Sequence, residues 1–177
     1  MSDLYNKIVG ERGSFERLVA RIPGFKGYQE KQARRTADRI LRDHIVGELS
    51  QRIDRFIRLE RTILDNNGLK HMSRTRDLKS KFQRYRDLIR TEAPGYSGMW
   101  SQIKIDDEAL ERIYNFDEAQ VRYISRIDDS LAAFKTAASS SEGDIRAAIN
   151  DFDTLLNEAI EAYNLRDTVI TNLDKTT

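Results

Sequence analysis

His44 and His71 are the only histidines in the chain, and neither stands in a spacing that builds a metal site. Di-iron bundles place a Glu three residues before the ligating His, and zinc proteases use His-Glu-x-x-His; Leu41 and Gly68 occupy the positions where those carboxylates would stand. His44 flanks an apolar stripe and reads as a boundary residue. His71 follows Gly68 and reads as a turn residue facing a helix start or solvent. Acids cluster at Asp106-Asp107-Glu108 and at Asp128-Asp129, but neighbours in sequence diverge around a helix and cannot share a proton or an ion. They read as caps and solvated faces. Cysteine is absent, which removes thiolate nucleophiles, zinc thiolates and disulfides. No Gly-x-Gly-x-x-Gly, Walker lysine loop or Gly-x-Ser-x-Gly occurs. The expectation is a protein that is not an enzyme and takes no metal, cofactor or small-molecule substrate.

What could recognise a partner is charge. Residues 1–92 hold 22 Lys/Arg against 13 Asp/Glu, and residues 93–177 hold 8 against 16, so a near-neutral chain is a basic half joined to an acidic half. The most basic stretch is 69–90, where Lys70, Arg74, Arg76, Lys79, Lys81, Arg84, Arg86 and Arg90 face only Asp77 and Asp87. Seven of these cations, Arg74 to Arg90, make a candidate surface for an anionic membrane or nucleic acid, since a rigid cationic helix releases counterions on meeting a phosphate lattice. The competing expectation is internal neutralisation by residues 142–167, which carry seven acids and two arginines. Upstream, Glu30/Arg34, Asp38/Arg42, Glu48/Arg52 and Asp54/Arg58 are acid-before-base pairs at i,i+4, the order that supports a solvated helix. Lys31, Arg34, Arg35 and Arg39 are left as the cations best placed to reach outward.

A second candidate surface is aromatic. Both prolines sit in one pattern, Pro23-Gly24-Phe25-Lys26-Gly27-Tyr28 and Pro94-Gly95-Tyr96-Ser97-Gly98-Met99, a helix stop and turn signal. If both turns meet at one end of a bundle, Phe25, Tyr28, Tyr96, Met99 and the single Trp100 form a patch of the kind favoured at protein interfaces and membrane anchors. The alternative is that they cap the core.

These groups must be positioned by helices. The Pro-Gly turns cut the chain into an N-terminal appendage (1–27), a basic hairpin (28–92) and an acidic hairpin (101–177). In the first block Ser14 caps a helix with Phe15, Leu18, Val19 and Ile22 on one face. Residues 29–66 form one helix of about 57 Å at 1.5 Å per residue, its apolar positions running from Ala37 through Ile63 and Leu64. Asn66-Asn67-Gly68 ends it, and Leu78, Phe82, Tyr85 and Ile89 mark the return helix. In the acidic half Asp106 or Asp107 caps a helix carrying Leu110, Ile113, Ile124, Ile127, Leu131 and Phe134. Asp117 and Gln120 fall on its seam unless the seam shifts locally onto Phe116 and Val121. The last helix has a heptad, Ile145, Ile149, Phe152, Leu156, Ala159 and Tyr163, resuming after Arg166 at Ile170 and Leu173.

The expected fold is therefore all-α: one elongated antiparallel helical bundle over 1–177, built from two long hairpins plus a short N-terminal helix. No stretch approaches the roughly 18 apolar residues of a membrane span and no signal-peptide pattern opens the chain, so a cytoplasmic protein is expected. A basic hairpin followed by acidic helices resembles, as an analogy that transfers no residue, membrane-remodelling and scaffold proteins. The expected function is interaction or assembly, as a scaffold or adaptor that binds a protein partner or self-associates through exposed seam or aromatic loop. The alternative is a peripheral binder of anionic membranes or nucleic acid through 69–90.

Overall fold

The structure, a computed structural model, describes residues 2–91, 104–140 and 142–173, with 142 and 143 described for their backbone alone. Six α-helices are found among the described residues: α1 (Asp3–Val9), α2 (Ser14–Arg21), α3 (Arg34–Asn67), α4 (Met72–Arg90), α5 (Asp107–Ala137) and α6 (Glu142–Leu173). No strand occurs among them. α3, α4, α5 and α6 close a ring in which each packs against two others, α3 on α4 and α5, and α6 on the same two. The all-α bundle of two hairpins is what the periodicities imply. Within each hairpin the helices are antiparallel. Between hairpins they run in the same direction, since Asp38, Arg52 and Asn66 of α3 climb in step with Asp117, Asp128 and Ala138 of the second hairpin.

The expected stripes form the core. Ala37, Leu41, Ile45, Leu49, Ile53, Phe56 and Ile63 of α3, Leu78, Phe82, Tyr85 and Ile89 of α4, and Ile145 through Tyr163 of the α6 heptad are all buried. One phenylalanine from each long helix meets in a single layer: Phe152 lies 5.8 Å from Phe56, 5.2 Å from Phe82 and 6.0 Å from Phe134, centroid to centroid. Edge-on aromatic packing of this kind adds to the burial of four large side chains. Gly47 does not break α3, whose 34 residues span about 51 Å. Gly68, with φ of 64°, takes the positive dihedral that lets the chain leave α3, and a 3-10 turn (Gly68–His71) leads into α4.

Two boundaries differ from expectation. α3 starts at Arg34 rather than near residue 29, because Tyr28 is pinned first: its N–H donates to the Tyr114 hydroxyl at 2.8 Å and its carbonyl accepts from Arg34 Nε at 2.7 Å. Ser14 is not the cap of α2. Gly13, left-handed at φ 70°, takes that position, and Ser14 is buried as the first helical residue. Asp106, by contrast, does cap α5, accepting from Ala109 N–H at 2.8 Å.

The N-terminal block is more than an appendage. α1 and α2 lie against α5, and Ile8, Leu18, Ile22 and Phe25 join the core. With α3 and α6 on its other sides, α5 is enclosed all round, so every residue from Ile113 to Val121 is buried. Both alternatives for the α5 seam are therefore realised at once. Gly27 closes the joint: at φ 87°, an added Cβ would sit 2.5 Å from the Tyr114 hydroxyl and 2.7 Å from Phe15.

Candidate functional site

The basic helix α4 is largely occupied by the bundle itself. Lys81 bridges to Asp153 of α6 at 2.5 Å, Lys79 to Glu60 of α3 at 2.8 Å, and Arg74 donates to Asn150 of α6 at 2.5 Å. Arg86 and Arg90 both approach Asp87, at 2.8 and 3.6 Å. Of the seven candidate cations Arg74, Arg76 and Arg84 are exposed without an acidic partner among the described residues, Arg74 being held by the neutral amide of Asn150, and exposed Asp77 and Asp87 dilute the face they share. The continuous cationic surface expected over 69–90 is thus corrected to three scattered arginines, because Asp153 of α6, Glu60 of α3 and Asp87 of α4 itself take up the other four cations. On the neighbouring flank Arg52 of α3 reaches Asp128 of α5 at 2.7 Å while keeping its i,i+4 bond to Glu48.

The Phe25 and Tyr28 part of the aromatic patch is not a surface. Phe25 and Tyr28 are 2 % and 0 % exposed, packed edge-on to one another at 5.5 Å, with Tyr28 stacked on Tyr114 at 5.5 Å. They cap the core. Tyr96, Met99 and Trp100 lie outside the described residues.

What the charge pattern hid is a buried ionic cluster. Arg166 stands in the α6 seam between Tyr163 and Ile170, fully buried. Its Nε donates to Asp117 of α5 at 2.5 Å and its Nη2 to Asp38 of α3 at 2.8 Å. The Tyr28 hydroxyl donates to the other Asp117 oxygen at 2.6 Å. Asp38 also accepts from Arg42 at 2.8 Å, and Arg42 reaches the Arg90 carbonyl at the end of α4 at 3.3 Å. Five segments are tied at one level. Burial pushes the Asp117 carboxyl above the usual range, opposed by Arg166 and the Tyr28 hydrogen bond, and burial also holds the Tyr28 hydroxyl well above its ordinary value. Arg166, Asp117, Tyr28 and Asp38 are sealed, each 1 % exposed or less, and Arg42 is buried at their edge, so they position helices rather than meet a substrate. Asp38/Arg42, read as a solvated pair, is corrected to a buried one, and Arg34, read as reaching outward, is buried under Tyr28.

Beside the cluster, Tyr85 donates to Gln120 at 2.6 Å, and Glu118, 1 % exposed, is held by Arg17 and Arg122 at 3.2 and 2.8 Å. His71 stands in the turn at the start of α4, as expected, but is buried, with no partner for Nε2 among the described residues, so of its two expected surroundings solvent is corrected and the helix start holds. His44 is half-buried at the rim of a cleft with Glu48 and Arg52. Among the described residues no group of three His, Asp or Glu could hold a metal, and no helix is long and apolar enough to cross a membrane.

One surface remains that breaks the polar-outside pattern. At the α3–α4 turn, Leu69 is 70 % and Leu64 38 % exposed. Leu64 lines a cleft of about 170 Å³ together with apolar Ile63 and Met72 and with charged Glu60, Arg61 and Arg76. The spacing that put Ile63 and Leu64 together on the seam holds for Ile63 alone, and Leu69 carries no periodic signal because it follows the stop. Val19, expected on the packing face of α2, is 44 % exposed on the other half of the rod. A groove of about 450 Å³ between α1 and the last turns of α6, lined by Tyr5, Leu165, Val169 and Leu173 among others, is the second apolar feature.

No family model, curated protein or solved structure matches the chain.

Proposed function

We propose that the protein is a non-enzymatic interaction module: a stiff helical rod that docks through the end made by the α3–α4 turn. The observation that supports it is Leu69, a large apolar side chain 70 % exposed beside Leu64, while the heptad seam of α6 is consumed inside the bundle. Apolar exposure grouped at one place, rimmed by charge, is what docking surfaces keep. Because the chain has no cysteine, a single Leu69→Cys exchange carries an environment-sensitive fluorophore to that one position. Its emission should shift to the blue on adding either the soluble or the membrane fraction of the source cells, and Leu64→Ser should remove the shift. An unchanged spectrum with every fraction, or an equal shift from a reporter at Val19→Cys, refutes the reading.

Self-association is the second reading, favoured by the groove at Tyr5, Leu165 and Val169. Light scattering over a concentration series should then give a mass above that of one chain, reduced by Val169→Asp. A single-chain mass at every concentration removes it.

A further inference from the structure

Resting on the reading that the α3–α4 end docks, we propose that its occupant is an anionic phospholipid surface, into which Leu69 and Leu64 insert while flanking arginines meet the headgroups. Residues 58–79 carry six Lys/Arg against three Asp/Glu, and Arg58, Arg61 and Arg76 are exposed with no acidic partner among the described residues. Further along α4, by contrast, Lys81 is paired with Asp153 of α6 and Lys79 with Glu60 of α3. The shape selects a surface over a peptide. Leu69 stands on a turn at the end of a rod, and the cleft beside it, about 170 Å³, holds one or two side chains rather than a helix some 10 Å across. A protruding apolar residue with exposed arginines on the two helices that flank its turn fits a plane of phosphate groups over hydrocarbon, where shallow apolar insertion and electrostatic attraction act together. Each basic residue near such a surface is worth about 1 kcal/mol, close to fivefold in affinity, and the attraction fades within a Debye length.

The test uses the full chain with the fluorophore at Leu69→Cys and vesicles of phosphatidylcholine with or without phosphatidylserine. Phosphatidylserine vesicles should bind and shift the reporter to the blue, phosphatidylcholine alone should not, and binding should weaken steeply from low to physiological ionic strength. Arg61→Glu with Arg76→Glu should lower affinity at least about 25-fold and Leu64→Ser should reduce it further, both with unchanged circular dichroism. The same chain is titrated with a single-stranded oligonucleotide. Binding of the oligonucleotide but not the vesicles, no vesicle binding at low ionic strength, or vesicle binding indifferent to these exchanges overturns the proposal. If the reporter answers the soluble fraction but not vesicles, the docking end stands and the lipid occupant falls. If it answers neither, both fall.

Discussion

Replacing Arg166 by methionine, close to it in volume, tests whether the buried cluster organises the bundle. The exchange removes the cation 2.5 Å from Asp117 and 2.8 Å from Asp38. Asp38 keeps Arg42 at 2.8 Å, so its charge stays compensated. Asp117 keeps only the Tyr28 hydroxyl and becomes a buried carboxylate without a counter-ion. Removing one partner of such a pair costs about 3–5 kcal/mol, and at about 2–4 °C per kcal/mol for a domain of this size the melting temperature should fall by roughly 6–20 °C. The sign of the pH dependence follows. Asp117 is already raised above its ordinary value of 3.8 by burial, and losing Arg166 raises it further. A raised carboxyl binds more protons in the folded than in the unfolded state, so its stabilising contribution is full below the unfolded value and is lost as pH rises through the folded one. The penalty of Arg166→Met should therefore be larger at neutral pH than in mild acid. Adding Asp117→Asn, which keeps an acceptor for Tyr28, should recover much of the loss. Urea titrations of the wild type, the single and the double variant at two pH values decide it. A single variant within about 1 kcal/mol of wild type, or a penalty that grows toward acid, refutes the account.

Two further outcomes are expected. Phe152→Ala should cost about 3–5 kcal/mol in urea unfolding, because Phe152 is fully buried and touches the phenylalanines of all three other long helices; a loss under about 1.5 kcal/mol would mean the layer collapses around the cavity. Glu158 accepts from Arg126 at 2.7 Å and from the Tyr123 hydroxyl at 2.9 Å, and the Arg126 hydrogen bond, foremost, holds its carboxyl below 4.5. A depressed carboxyl contributes stability that is present above the unfolded value and lost as pH falls through the folded one. The melting-temperature gap between wild type and Glu158→Gln should then be full at neutral pH and close in acid below about pH 4.5, and a gap constant across that range contradicts the assignment.

The parts of this molecule legible in its sequence are those set by short-range spacing. Apolar repeats three and four residues apart locate four long helices and nearly all of their buried faces, and Asp106 announces its helix because a cap acts on N–H groups only three residues away. What spacing leaves open is how wide a buried face becomes, because that depends on how many neighbours a helix has. Asp38/Arg42 and Glu48/Arg52 are indistinguishable as i,i+4 pairs, yet the first is sealed and the second half-exposed. The first lies where the Tyr28 turn, α5 and α6 converge on α3. Arg166 did carry a signal: it continues the heptad, three residues after Tyr163 and four before Ile170, so a seam that skips it should also ask what a buried guanidinium would bond to. Asp117, on the α5 seam, is the answer.

The same dependence on neighbours decides which charges can serve function. A run of cations on one helix states only that the helix needs anions nearby; it does not state whether they belong to the same chain. Along α4 they do, since Asp153 and Glu60 stand within ion-pair distance of Lys81 and Lys79. Near the α3–α4 turn Arg61 and Arg76 stay exposed with no acidic partner among the described residues, lining the same cleft as Leu64. Sequence charge marks the whole of 69–90 as a candidate surface. Packing removes much of it and leaves, among the described residues, a place by the α3–α4 turn where exposed apolar and cationic side chains coincide, which is the combination that an external partner can read.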